Sequence, residues 1–108
     1  MVYARDFPPA ADLPEAEKST TAKMKDLEHK PAAYALSNED KKWIYKGSTK
    51  DLSERIAAHL SGKVPRTKNR LPLKLVYCEY FDNYTDARRH EIWLKSGQGR
   101  EWIKKINQ

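Results

Sequence analysis

Residues 32–47 read AAYALSNEDKKWIYKG, and this stretch sets the start of the fold. Ala33-Tyr34-Ala35-Leu36 has the texture of a short strand, and Lys42-Trp43-Ile44-Tyr45-Lys46 that of a second. Between them, Ser37-Asn38-Glu39-Asp40-Lys41 is polar and turn-forming. Two strands joined by a short polar loop predict a hairpin, and Gly47 breaks the second strand.

Downstream of the hairpin, Leu52, Ile56, Ala57 and Leu60 recur at helical spacing, with Thr49 or Asp51 available as cap and Gly62 as stop. Lys63 to Arg70 is a basic loop in which Pro65, and then Pro72, exclude helix. The run from Leu73 to Phe81 is rich in β-branched and aromatic residues and is the strongest strand of the chain. Asp82-Asn83-Tyr84 predicts a turn, Thr85 a cap, and a helix follows to about Ser96. Gly97 and Gly99 interrupt, and a short last helix holds Trp102, Ile103 and Ile106.

Upstream, Pro14 to His29 has helix-forming composition with a thin apolar stripe, Asp12 as N-cap and Pro31 as stop. Residues 1–31 therefore read as an N-terminal extension, and 32–108 as one domain. The expected class is α+β: a three-stranded antiparallel sheet flanked by helices, in the order β-β-α-β-α-α behind a helical leader.

With 108 residues there is room for one domain. The net charge of +6 is uneven, about −1 over the first thirty residues and +7 over the rest. A basic body points to a polyanion such as nucleic acid, although charge alone weighs a solvated lysine surface equally. Cys78 is the single cysteine, which excludes an internal disulfide and a cysteine-based metal site. It lies in an apolar run and reads as a small buried hydrophobe. No apolar stretch has the length of a membrane span, and no signal-peptide core is evident at the start, so the cytoplasm is the expected compartment.

Two sets of residues can carry chemistry. Arg55 and His59 are four apart on the first core helix, beside the apolar face of Leu52, Ile56 and Leu60. That places both near the rim, where a cation and an imidazole can meet a phosphate. Glu91 stands in an i−3, i, i+4 row with Arg88 and Lys95. Such a carboxylate is either a surface salt-bridge partner or a ligand for Mg²⁺, which keeps most of its waters.

The arrangement resembles the GIY-YIG nuclease domain, in the small single-domain bacterial form. Tyr34 precedes Tyr45-Lys46-Gly47 by the separation that small members use. Gly47 to Leu52, the Thr67–Pro72 segment with its strand, Ala87-Arg88-Arg89-His90-Glu91 and Lys95 to Trp102 continue the likeness over about two thirds of the chain. In the signatures Ala32 and Ala33 replace Gly and Ile, and Lys46 replaces the central Ile. On its strand, Lys46 should point opposite to Tyr45, toward solvent or the leader helix.

The resemblance implies hydrolysis of DNA phosphodiesters with one Mg²⁺ or Mn²⁺ held by Glu91, and no small-molecule cofactor. It implies Tyr34, Tyr45, Arg55, His59 and Glu91 as the catalytic set. Tyr34 would activate water with His59 as the alternative base, and Tyr45 would orient water or phosphate. Arg55 would neutralise the transition state. Lys63, Arg66, Lys68, Arg70 and Lys95 would follow the DNA backbone. The alternative is a catalytically silent nucleic-acid-binding or protein-interaction module on the same fold. The leader leaves room for a protein partner, and a homodimer is equally open.

Overall fold

The run Ala32–Ser37, with small residues at four of its six positions, suits a strand covered on both faces, and all six are buried. The computed structural model describes residues 26–38 and 43–107. Its elements are β1 (Ala32–Asn38), β2 (Ile44–Thr49), α1 (Leu52–Leu60), β3 (Leu73–Tyr80), α2 (Tyr84–Leu94) and α3 (Gly97–Ile106). The sheet is antiparallel in the order β2-β1-β3, so β1 is central and β2 is an edge. This is the expected α+β architecture, hairpin included. Residues 39–42 of the hairpin turn, and the leader helix as far as residue 25, lie outside the described residues. No helix among the described residues is long and apolar enough to cross a membrane.

Strand alternation sends Ala32, Tyr34, Leu36, Leu73 and Leu75 to one face, against Leu52 and Ile56 of α1. Cys78 is half-buried and packs at the edge of this layer. Ala33, Ala35 and Tyr77 face the other way, against Leu94 of α2 and Ile103 of α3. Each fully buried Leu or Ile here contributes on the order of 1.5–3 kcal/mol. Between β1 and β3 the register shifts at Ala35/Leu36, so Val76 is the extra residue of a bulge.

Five local expectations change. Strand β2 runs on to Thr49, so Gly47 lies within it instead of breaking it. His59, not Leu60, completes the buried stripe of α1: His59 is 0% exposed and Leu60 is 39% exposed. Leu52, Ile56 and His59 form one i, i+4, i+7 row, and both ring nitrogens of His59 find partners, which makes its burial tolerable. The cap of α2 is Asn83, whose Oδ1 accepts from the Asp86 N–H at 2.8 Å, rather than Thr85. That helix stops at Leu94 because Ser96 caps the next one, accepting from the Gly99 N–H at 3.2 Å. Gly97 and Gly99 therefore lie in the first turn of α3 instead of interrupting it. Lastly, a single 3-10 turn, Lys68–Arg70, forms within the loop between the prolines.

The end of the expected extension packs onto this frame. Residues 26–30 contain no α-helix, and Leu27 packs against the first core layer. The Leu52 and Ser53 N–H groups donate to the Lys30 and Glu28 carbonyls at 3.0 and 3.1 Å. First-turn donors that α1 itself cannot satisfy are thus taken up by chain preceding the sheet. Asp51 caps the same helix through the Glu54 N–H and holds His29 Nδ1 at 2.8 Å.

Candidate active site

The register of the hairpin places Tyr34 opposite Gly47. An ideal Cβ at position 47 would lie 2.6 Å from Tyr34 Oη and 2.7 Å from Cζ, so only glycine lets the phenol cross the edge strand there. Tyr45, two residues earlier on β2, shares that face, with its ring centroid 6.4 Å from that of Tyr34. From the facing helix His59 comes down between them, its ring 5.4 Å from Tyr45. His59 Nε2 is 2.9 Å from Tyr34 Oη, and His59 Nδ1 is 2.8 Å from Thr67 Oγ1. The row runs Thr67, His59, Tyr34, buried throughout.

Arg55 sits one turn before His59 and is half-buried. The Tyr34 phenol beside it, with Tyr45, holds its guanidinium above the usual value against partial desolvation. Burial pushes the Tyr34 phenol up to about 12, although Arg55 pulls the other way. Burial, and then the Arg55 charge, push His59 down to about 4. At neutral pH both groups are therefore uncharged. A phenol donating to Nε2 requires the tautomer whose Nδ1–H donates to Thr67 Oγ1.

Glu91 approaches from the other side of β2. It is 7% exposed and accepts from Ser48 Oγ, from Lys95 Nζ at 2.6 Å and from Arg88 Nη1 at 3.1 Å. Burial opposes its ionisation, but Lys95, Ser48 and Arg88 together outweigh it and hold the carboxyl below its usual range. Its charge also reaches Tyr34, raising the phenol pKa. Among the described residues no group of three or more His, Cys, Asp or Glu could hold a metal ion.

Tyr34, Tyr45, Arg55 and His59 thus meet on one sheet face, while Glu91 joins them electrostatically across the edge strand. His59 is internal rather than at the rim. Lys63, Arg66, Lys68 and Arg70 are exposed on the α1–β3 connection, which buried Val64 and Thr67 pin down. Arg70 lies 5.0 Å over the Trp43 ring, which in turn stacks on Tyr45 at 6.2 Å. Lys95 is tied to Glu91. Lys46 points away from Tyr45 as expected and is half-buried beside Arg100, Ile103 and Lys104 of α3, while the leader helix toward which it was also expected to point lies outside the described residues. The sequence reading took Gly47 only as a strand breaker within a signature and assigned no role to Ser48 or Thr67. A glycine two residues after a strand tyrosine was the available signal for the close approach at Gly47; nothing local marked the other two.

The model of the GIY-YIG catalytic domain matches residues 30–107. The chain belongs to the GIY-YIG family. Among the curated proteins it is similar to UPF0213 protein YsiG of Lactococcus lactis subsp. lactis (strain IL1403), 48% identical over 63 residues, 57% of this chain and 60% of that one. It is also similar to UPF0213 protein CPE1444 of Clostridium perfringens (strain 13 / Type A), 40% identical over 63 residues, 57% of this chain and 67% of that one. A third, UPF0213 protein SH2523 of Staphylococcus haemolyticus (strain JCSC1435), is 36% identical over 66 residues, 60% of this chain and 80% of that one. The chain spans 60% and 54% of the lengths of the two Lactococcus lactis relatives. No solved structure matches.

In this GIY-YIG domain the signature glycine is a steric requirement, which Gly47→Ala tests. The new methyl must displace the Tyr34 ring, so the Tyr34–His59 hydrogen bond should break at a cost of about 1–3 kcal/mol. A lowered thermal midpoint and altered ring ¹⁵N shifts of His59 are the expected readouts; unchanged His59 shifts would contradict the steric account.

The neutral histidines also set a pH dependence. His90, buried with Nε2 2.7 Å from Tyr77 Oη, is pushed down to about 3 by burial. Unfolding returns His59 and His90 to about 6.5. Below that value the unfolded chain binds more protons than the folded one, so stability falls with pH until the folded values are reached. Each histidine contributes up to about 1.4 kcal/mol per pH unit in that window. The thermal midpoint should fall steeply from pH 6.5 toward pH 4, and His90→Gln should flatten the slope. A midpoint constant over this range would rule the account out.

Proposed function

We propose that this domain is a metal-dependent DNA endonuclease, hydrolysing phosphodiester bonds in DNA repair, recombination or restriction-type processing. The observation that carries the proposal is the buried Thr67–His59–Tyr34 row beside Arg55, with its two titratable members neutral. A preformed Tyr34 phenolate lies about 7 kcal/mol above the phenol at pH 7, given its pKa near 12. Neutral His59 is already the dominant form. The favoured route is therefore a relay: water gives a proton to Tyr34 Oη as Tyr34 gives its own to His59 Nε2. Thr67 holds His59 in the tautomer that can accept it. Arg55 neutralises charge on the phosphate, and Tyr45 orients water or phosphate from the other side of His59.

The donors fit a largely hydrated Mg²⁺ or Mn²⁺, because Glu91 is ionised and such ions take few protein oxygens. When bound, the ion supplies Lewis-acid stabilisation of the leaving oxygen. One observation favours the silent-module reading instead: Lys95 and Arg88 already neutralise Glu91.

Incubation with supercoiled and branched DNA separates the two. Cleavage should require Mg²⁺ or Mn²⁺ and stop with a chelator, and Tyr34→Phe should slow it by about 10²–10⁴-fold. Absence of cleavage with either metal, with salt-sensitive DNA binding retained, would establish the silent module.

A further inference from the structure

Behind the edge strand, on the face away from Tyr45, lies a cleft of about 260 Å³ bounded by Trp43, Ile44, Lys46, Arg100, Ile103 and Lys104. Strand alternation brings Ile44 and Lys46 to it, and helical spacing brings Arg100, Ile103 and Lys104, at i, i+3 and i+4 of α3. Its floor is apolar and its walls are cationic. Lys46 is half-buried, and burial followed by the charges of Arg100, Lys95 and Lys104 all disfavour its protonated form.

Little among the described residues relieves this crowding. Glu101 reaches Lys104 only at 3.9 Å, with both side chains exposed. Arg100 Nη1 donates to the Lys95 carbonyl, and the Lys95 ammonium is engaged with Glu91. Three like charges (Lys46, Arg100 and Lys104) around an apolar floor are disfavoured without a counter-charge, and an anion with a hydrophobic part satisfies both features.

We propose that this cleft is a second nucleic-acid contact, in which Lys46, Arg100 and Lys104 hold backbone phosphates while Ile44, Ile103 and the Trp43 edge take the sugar or base. A nucleic-acid strand is favoured over an acidic protein segment by continuity. Lys95 links the cleft to Glu91, and β2 presents Tyr45 on one face and Lys46 on the other. A strand passing round the free edge of β2 touches both. The contact goes beyond the nuclease reading and requires no cleavage.

The test is a titration of ¹⁵N-labelled protein with a single strand of roughly 12 nucleotides, in chelator so that no metal is present. Amide shifts are expected at Ile44, Lys46, Arg100, Ile103 and Lys104. Lys46→Gln/Lys104→Gln should weaken binding about 5–10-fold and reduce the slope of log K against log salt by about 1.4, two phosphates' worth for a single strand. Its thermal midpoint should equal or exceed that of the parent, since like-charge repulsion is relieved. Shifts confined to the Tyr34 and Arg55 face, or an unchanged salt slope, would overturn the proposal. So would a glutamate oligomer that gives the same shifts at the same affinity, which would mark the cleft as a protein-docking site. The two proposals fail separately: binding here without cleavage removes only the nuclease reading, and cleavage with an unchanged salt slope removes only this one.

Discussion

Gly99→Ala is expected to leave little folded protein at 37 °C. A Cβ at position 99 would stand 2.1 Å from the Trp93 carbonyl oxygen and 2.5 Å from Leu94 Cα. Both are backbone atoms at the end of α2, so no rotamer change relieves the clash. The first turn of α3 would have to lift away, opening the layer where Leu94 and Ile103 cover Ala33, Ala35 and Tyr77. Overpacking that a side chain can absorb costs about 1–3 kcal/mol, and this clash should exceed that. For a small domain even about 3 kcal/mol lowers the midpoint by roughly 12–24 °C. Gly97→Ala is the control: a Cβ there meets nothing within 4 Å, and alanine's better helix propensity should leave stability equal or slightly higher. Equal melting of the two variants would refute the close-approach argument.

On the nuclease reading proposed above, Glu91→Gln should abolish cleavage, with a loss of at least about 10³-fold, while the fold persists. The amide keeps the shape of the carboxylate and can still accept from Ser48. It loses the negative charge that would hold a cation, and with it the electrostatic term that P-O bond cleavage depends on most. Removing one partner of a buried ion pair can cost about 3–5 kcal/mol when the other charge is stranded. Here Lys95 and Arg88 are 48% and 49% exposed and can turn to water, so a smaller penalty of about 1–2 kcal/mol is expected. The decisive comparison is turnover beside the thermal midpoint. A variant that melts near the parent and still cleaves at more than about a tenth of its rate would remove Glu91 from the chemistry.

Much of the fold was readable because its causes are local. Strand alternation around Tyr34 and Tyr45, the apolar period of α1 and the aromatic run of β3 each act within a few residues. The pairing of Arg55 with His59, and the row of Arg88, Glu91 and Lys95, follow from helical spacing alone. The caps of α2 and α3 were less legible. Asn83, Thr85 and Ser96 are all competent caps, and the choice depends on where α2 meets α3.

What the sequence determined by itself was the order of elements, the hairpin and the approximate set of polar side chains. The tertiary structure decided how they meet. Leu60 is the more hydrophobic residue, yet His59 takes the buried position, because Tyr34 from β1 and Thr67 from the following loop satisfy both its nitrogens. Lys46 turns to α3, Ser48 reaches Glu91 across 43 positions of chain, and Gly47 and Gly99 are fixed by what passes over them. All but the Gly99 contact, which is made to Trp93 and Leu94 at the end of the preceding helix, join segments well separated in sequence. Local propensity carries no information about such partners, so burial of a polar group becomes favourable only once the fold has brought its hydrogen-bond partner into place.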